Sequence, residues 1–133
     1  MTIFYDKERD YAEVFFSREE NYGENLSDTV MAFRSEKNDK LVGYAFDCAS
    51  RTLFENDLIS PSTKLAALLK IVRAKENLTQ EQAAEKVGGI TFRHYQRLES
   101  GEENPTLETI ESIMAAFPKE DFSLILKHSP KAS

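Results

Sequence analysis

The spacing of apolar residues changes once along this chain, near Pro61, and that change limits what it can fold into. Before Pro61 apolar positions alternate with a period of two; after it they recur every three or four residues. Residues 2–5 and 11–17 have strand composition, and in the second run Ala12, Val14 and Phe16 alternate with Tyr11, Glu13 and Phe15. A longer stretch over residues 24–34 carries Leu26, Val30 and Ala32, with room for a break near Ser27–Asp28. Asn38-Asp39 then offers a turn, and "LVGYAFD" returns as a strand. Four strands on short polar turns predict a small antiparallel meander, and residues 49–60 add a helical turn or short helix.

Past Pro61 the pattern is helical throughout. "STKLAALLKIVRAKEN" places Leu65, Leu68, Leu69 and Val72 on one side, with Ser62 or Thr63 as N-cap, until Asn77 interrupts it. "LTQEQAAEKVG" restarts with Thr79 as cap and Gln82 three residues later, a capping box, and Ala83, Ala84 and Val87 form its inner stripe. Gly88 and Gly89 end it. The third helix starts from Thr91 as cap, with Ile90 and Tyr95 spaced as a hydrophobic staple. On that helix Tyr95 and Leu98 point one way, and Phe92, Arg93, Gln96 and Arg97 fall on nearly the opposite side. Gly101 stops it. A fourth helix follows in "NPTLETIESIMAAF", with Asn104 or Thr106 as cap and Leu107, Ile110, Ile113 and Met114 inward. "DFSLILKH" reads as a short fifth helix and the last residues as a tail. The expected class is α+β: a sheet unit over 1–60, a five-helix unit over 61–127, and a tail over 128–133.

Charge divides at the same place. Residues 1–60 hold 7 Lys/Arg against 13 Asp/Glu, whereas residues 61–133 hold 10 of each, so the net charge of −6 lies wholly in the first half. Of 14 aromatic residues, 10 also precede residue 61. An acidic sheet would repel phosphates, so any contact with nucleic acid belongs to the helical half. No apolar run approaches the roughly 20 residues of a membrane span. The N-terminus lacks a basic start and apolar core, which predicts a cytoplasmic protein. Cys48 is the only cysteine, so no intrachain disulfide forms, and beside Phe46 it reads as a small buried hydrophobe. Phe15, Phe16, Phe33 and Phe46 read mostly as core.

Two resemblances follow from these residues. "FYDKERDYAEVFFS" and "NDKLVGYAFDCAS" resemble a family of short bacterial β domains whose function is uncharacterised. "LTQEQAAEKVG", "YQRLESG" and "NPTLETIESIMAAF", in that order, resemble the Cro/CI-repressor (Xre-type) helix-turn-helix domain over residues 64–117. That second resemblance implies binding to double-stranded DNA with the third helix in the major groove. Base readout then falls to Phe92, Arg93, Gln96 and Arg97. Arginine matches guanine and glutamine matches adenine through two coplanar hydrogen bonds. Phe92 either packs on a thymine methyl or folds back on the preceding turn. Thr79, Gln80, His94 and Asn104 are implied phosphate contacts, helped by the positive N-terminal end of the second helix. Lys64, Lys70, Arg73, Lys75 and Lys86 could add a few more, although most read as ordinary helix surface.

Two features depart from the family pattern. "VGGIT" gives a turn one residue longer than usual, and Glu102 and Glu103 follow Gly101 where carboxylates would weaken binding to DNA. The expected function is a homodimeric, sequence-specific transcriptional repressor on a DNA operator, needing no metal or cofactor. The alternative is an antitoxin whose sheet unit binds a toxin while the helical unit represses the operon. The metalloprotease His-Glu-x-x-His motif, a phosphate-binding glycine loop and paired cysteines are all absent from the sequence, which argues against an enzyme.

Overall fold

The computed structural model describes residues 1–122, which divide into two compact units, Met1–Glu55 and a second beginning at Asn56. The first unit is a five-stranded antiparallel sheet of β1 (Thr2–Asp6), β2 (Tyr11–Phe15), β3 (Asn21–Asn25), β4 (Val30–Ser35) and β5 (Leu41–Asp47), followed by the helix α1 (Ala49–Glu55). Its order is β1-β2-β5-β4-β3, so the expected four-strand meander is corrected in both strand number and connectivity. The stretch over 24–34 breaks at the foreseen place. Ser27 Oγ accepts hydrogen bonds from the backbone N–H groups of Thr29 and Val30, closing a turn between two strands. β3 escapes periodicity because "NYGEN" is an exposed polar edge strand held by backbone pairing to β4. Residues 16–20 then carry the chain from β2 past β5 and β4. That crossing spans about 14 Å at the usual strand spacing, and five extended residues reach that far.

Period two decides the faces. Ile3, Val14, Tyr44 and Ala32 form one buried row across β1, β2, β5 and β4, joined by Ala12 and Phe46 in the next. α1 lies against β2 and β5 and buries Ala49, Thr52, Leu53 and Phe54. Its N-terminus is capped from a distance. Asp10, in the left-handed conformation (φ 50°) of the first hairpin, accepts from the Ser50 backbone N–H (3.0 Å) and hydroxyl (2.7 Å). On the other face, Phe15 and Phe33 stack at 4.9 Å over Gly43, the residue between them in register. A Cβ at Gly43 would lie 2.5 Å from the Val14 carbonyl oxygen, so this close approach needs glycine. Phe46 is core as expected, but Phe15 and Phe33 are half-buried and Phe16 is exposed. Cys48 is likewise exposed rather than buried, because it occupies the left-handed turn (φ 56°) between β5 and α1.

The second unit holds α2 (Pro61–Glu76), α3 (Gln80–Val87), α4 (Phe92–Glu99) and α5 (Leu107–Ala116). The cap of α2 is Ser60, not Ser62 or Thr63. Proline suits the first helical position, where no N–H is needed, so the helix begins two or three residues earlier than the expected caps imply. Asn77 ends α2 in the left-handed conformation. Thr79 and Gln82 form the capping box of α3, Thr91 caps α4, and Thr106 rather than Asn104 caps α5. Ala83, Ala84, Val87, Tyr95, Leu98 and Ile113 are core as expected. On α5 the inward positions are Thr109 and Ile113, whereas Leu107 is 79% exposed and Met114 42%. The helix is rotated so that Leu107 and Met114 lie outward, and a polar Thr109 takes the inner place that the apolar count assigned to them. The fifth helix expected over 121–128 lies almost wholly outside the described residues, and the tail entirely so.

Candidate nucleic-acid interface

α3 and α4 are joined by Gly88, Gly89, Ile90 and Thr91. Both glycines have positive φ, +72° and +71°, and a Cβ added at either would meet open space. Backbone conformation alone demands glycine here. Gly88 also has ψ 157°, a region essentially closed to other residues. Gly88→Ala is therefore expected to destabilise the helical unit by about 1–3 kcal/mol without any steric clash, measurable as a lowered denaturation midpoint. An unchanged midpoint would mean that the turn relaxes freely. The second glycine is thus part of a defined turn with its own backbone geometry.

From that turn α4 presents two contrasting sides. Tyr95, Leu98 and Glu99 are buried, while Phe92, Arg93, Gln96 and Arg97 are exposed. Phe92 is 42% exposed, so it faces solvent rather than folding fully onto the turn. The four expected readout residues thus share one accessible side of one helix.

What holds α4 in place is a polar network that the sequence reading missed. Glu99 is 1% exposed and accepts two hydrogen bonds from Arg73 of α2, Nε to Oε2 at 2.8 Å and Nη2 to Oε1 at 2.7 Å. Gln80 of α3 adds a third, Nε2 to Oε1 at 3.0 Å, and the Lys70 ammonium lies 3.5 Å away. One carboxylate therefore ties three helices together. Burial alone would raise its pKa, but the hydrogen bonds from Arg73 and Gln80 prevail and hold Glu99 below the ordinary carboxylate range. The Tyr95 ring is wholly buried, and burial pushes its phenol above the usual range. A signal for Glu99 did exist in the sequence. It stands four residues after Tyr95, on the buried side of α4, so a carboxylate there requires a cationic partner from another helix.

The expected phosphate contacts are placed differently from one another. Thr79 is consumed as the α3 cap, its hydroxyl accepting from the Gln82 backbone N–H at 3.1 Å. Gln80 is joined to Glu99 and also to the exposed side of α4, since Gln96 Nε2 donates to Gln80 Oε1 at 3.3 Å. His94 Nε2 lies 3.0 Å from a Glu103 carboxylate oxygen, and Arg97 Nη1 lies 3.6 Å from the other. Asn104 is exposed in the segment before α5 and takes no part in this network. The five basic residues considered as extra phosphate contacts all have internal partners. Lys64 donates to the Asn56 carbonyl, Lys70 and Arg73 face Glu99, Lys75 pairs with Glu120, and Lys86 pairs with Glu76. Arg93 makes no ion pair among the described residues.

Two short helices on a tight glycine turn, the second offering a polar face and anchored behind by a third, define a helix-turn-helix. Residues 69–122 match the helix-turn-helix family model of Cro/CI type, and the match supports a DNA-binding transcription regulator. No curated protein and no solved structure gives a significant match. Among the described residues no helix is long and apolar enough to cross a membrane.

Proposed function

We propose that the chain is a sequence-specific transcriptional repressor that binds a double-stranded DNA operator as a homodimer in the cytoplasm, and that it is not an enzyme. The observation that carries this is the accessible side of α4, where Phe92, Arg93, Gln96 and Arg97 project together. Arg93 and Arg97 can each donate paired hydrogen bonds at base edges, Gln96 can donate one and accept one, and Phe92 can cover a thymine methyl. The N-terminal end of α3 supplies phosphate contacts through Gln80 and backbone N–H groups, with Thr79, His94 and Asn104 as further contacts in this reading. Dimerisation is supported by the outward Leu107 and Met114 on α5, two apolar residues that water leaves unrewarded. Genomic footprinting with purified protein tests the reading. The expected result is protection of paired half-sites about 10 bp apart, one turn of DNA. Uniform cleavage across the genome would sink it.

A second reading concerns the sheet unit. Its face with the Phe15–Phe33 stack also carries Phe4, which is 51% exposed, in a half of the chain whose carboxylates outnumber its cations. Exposed apolar surface on an acidic unit suits a basic protein partner, as in an antitoxin that binds its toxin and autoregulates its operon. Co-purification of a small basic protein, lost on Phe4→Asp, is the expected result under this reading.

A further inference from the structure

Glu103 is anomalous in a DNA-facing position. A carboxylate near phosphates costs affinity on every sequence, and neighbouring Glu102 does the same with no ion pair among the described residues. Glu103 differs because its two oxygens engage two residues of α4, His94 at 3.0 Å and Arg97 at 3.6 Å. The segment bearing it is bound to the end of that helix. The Gly101 N–H donates to the Leu98 carbonyl (3.2 Å) and the Glu102 N–H to the Arg97 carbonyl (3.1 Å), with Gly101 at φ 78°.

We propose that Glu103 is a specificity-determining positioning residue, which buttresses Arg97 so that the guanidinium meets DNA by its Nε–Nη2 edge. This rests on the DNA-binding reading given above. Arg97 needs two adjacent donors to match guanine O6 and N7. With Nη1 turned towards the carboxylate, the Nε–Nη2 edge is the pair that stays free, and the side chain is half exposed. A loose arginine would have to be ordered on binding, at the expense of its rotamer entropy, and could settle on a phosphate instead. A braced one is held for a base. His94 braces the carboxylate from the other side, so it orients the buttress.

The two effects of Glu103 act with opposite sign on different DNA, which makes them separable. Full-length wild type is first used to select duplexes from a library with a random core. Affinities of wild type, Glu103→Gln and Glu102→Gln are then measured for the selected duplex and for a shuffled one. Glu103→Gln is expected to bind the shuffled duplex about two- to threefold more tightly, through lost repulsion. Its ratio of selected to shuffled affinity should fall about tenfold, with preference relaxed at the base position that Arg97→Ala also relaxes. Glu102→Gln makes the same charge change at a carboxylate that forms no ion pair with Arg97, and should tighten both duplexes alike. A ratio for Glu103→Gln that stays level or rises, in a wild type that does select a motif, overturns the buttress alone. A wild type that enriches no motif overturns the DNA-binding reading and the buttress with it.

Discussion

Arg73→Met is expected to cost the helical unit about 3–5 kcal/mol, the typical loss when one partner of a buried ion pair is removed. The substitution keeps most of the side-chain volume but leaves Glu99, 1% exposed, without the two charge-assisted bonds that compensate its burial. A helical unit of this size has little stability in reserve, so much of it should unfold at 37 °C. Denaturant unfolding followed by circular dichroism measures this, and a loss below about 1 kcal/mol would mean that the pair is worth no more than a surface bridge. The comparator Glu99→Gln is milder, because an amide keeps an acceptor for Arg73 and needs less compensation when buried. It also isolates the pH dependence. Glu99 is depressed in the folded state, so its contribution is complete above the ordinary carboxylate value of 4.5 and is lost as pH falls through the lower folded value. Wild type should therefore lose more stability on acidification through that range than Glu99→Gln does.

The double substitution Arg93→Ala with Arg97→Ala is expected to remove sequence-specific binding while the fold survives. Both side chains are exposed, and neither supports the core. Each good bidentate arginine–guanine contact is worth about 1–3 kcal/mol, so losing two weakens a selected duplex by about thirtyfold or more. Binding to shuffled DNA should fall far less. A gel shift with both duplexes measures the pair of effects, and equal retention of the selected duplex by wild type and variant would remove these residues from the readout face.

The helical unit was legible because its signals are local. Thr79, Thr91 and Thr106 each precede a helix by one position and cap it, and Asn77, Gly88 and Gly101 mark the ends. Where the reading failed, the deciding interaction was distant or polar. β3 lacks any apolar alternation, and its pairing with β4 depends only on backbone groups. Strand order follows from a crossing segment, residues 16–20, with no signature of its own. Apolar count placed Leu107 and Met114 inward because it could not know that Thr109 and Ile113 face the neighbouring helix. The candidate interface divides in the same manner. Its exposed face followed from the angular spacing on α4, whereas Arg73 read as helix surface and Glu99 was not singled out, because their partnership spans 26 positions.

The bond between Gln96 and Gln80 bears on how this domain can change over generations. Gln96 stands on the proposed readout face, and Gln80, an expected phosphate contact at the start of α3, is also tied to Glu99. Substituting Gln96 to suit another base strips Gln80 Oε1 of its donor and disturbs a side chain that belongs to the scaffold. Such residues lose additivity, so a change of base preference at 96 is epistatic with the residue at 80. Drift toward a new operator is then channelled through paired substitutions, while Arg93, bound to nothing else among the described residues, is the position where preference can vary one mutation at a time.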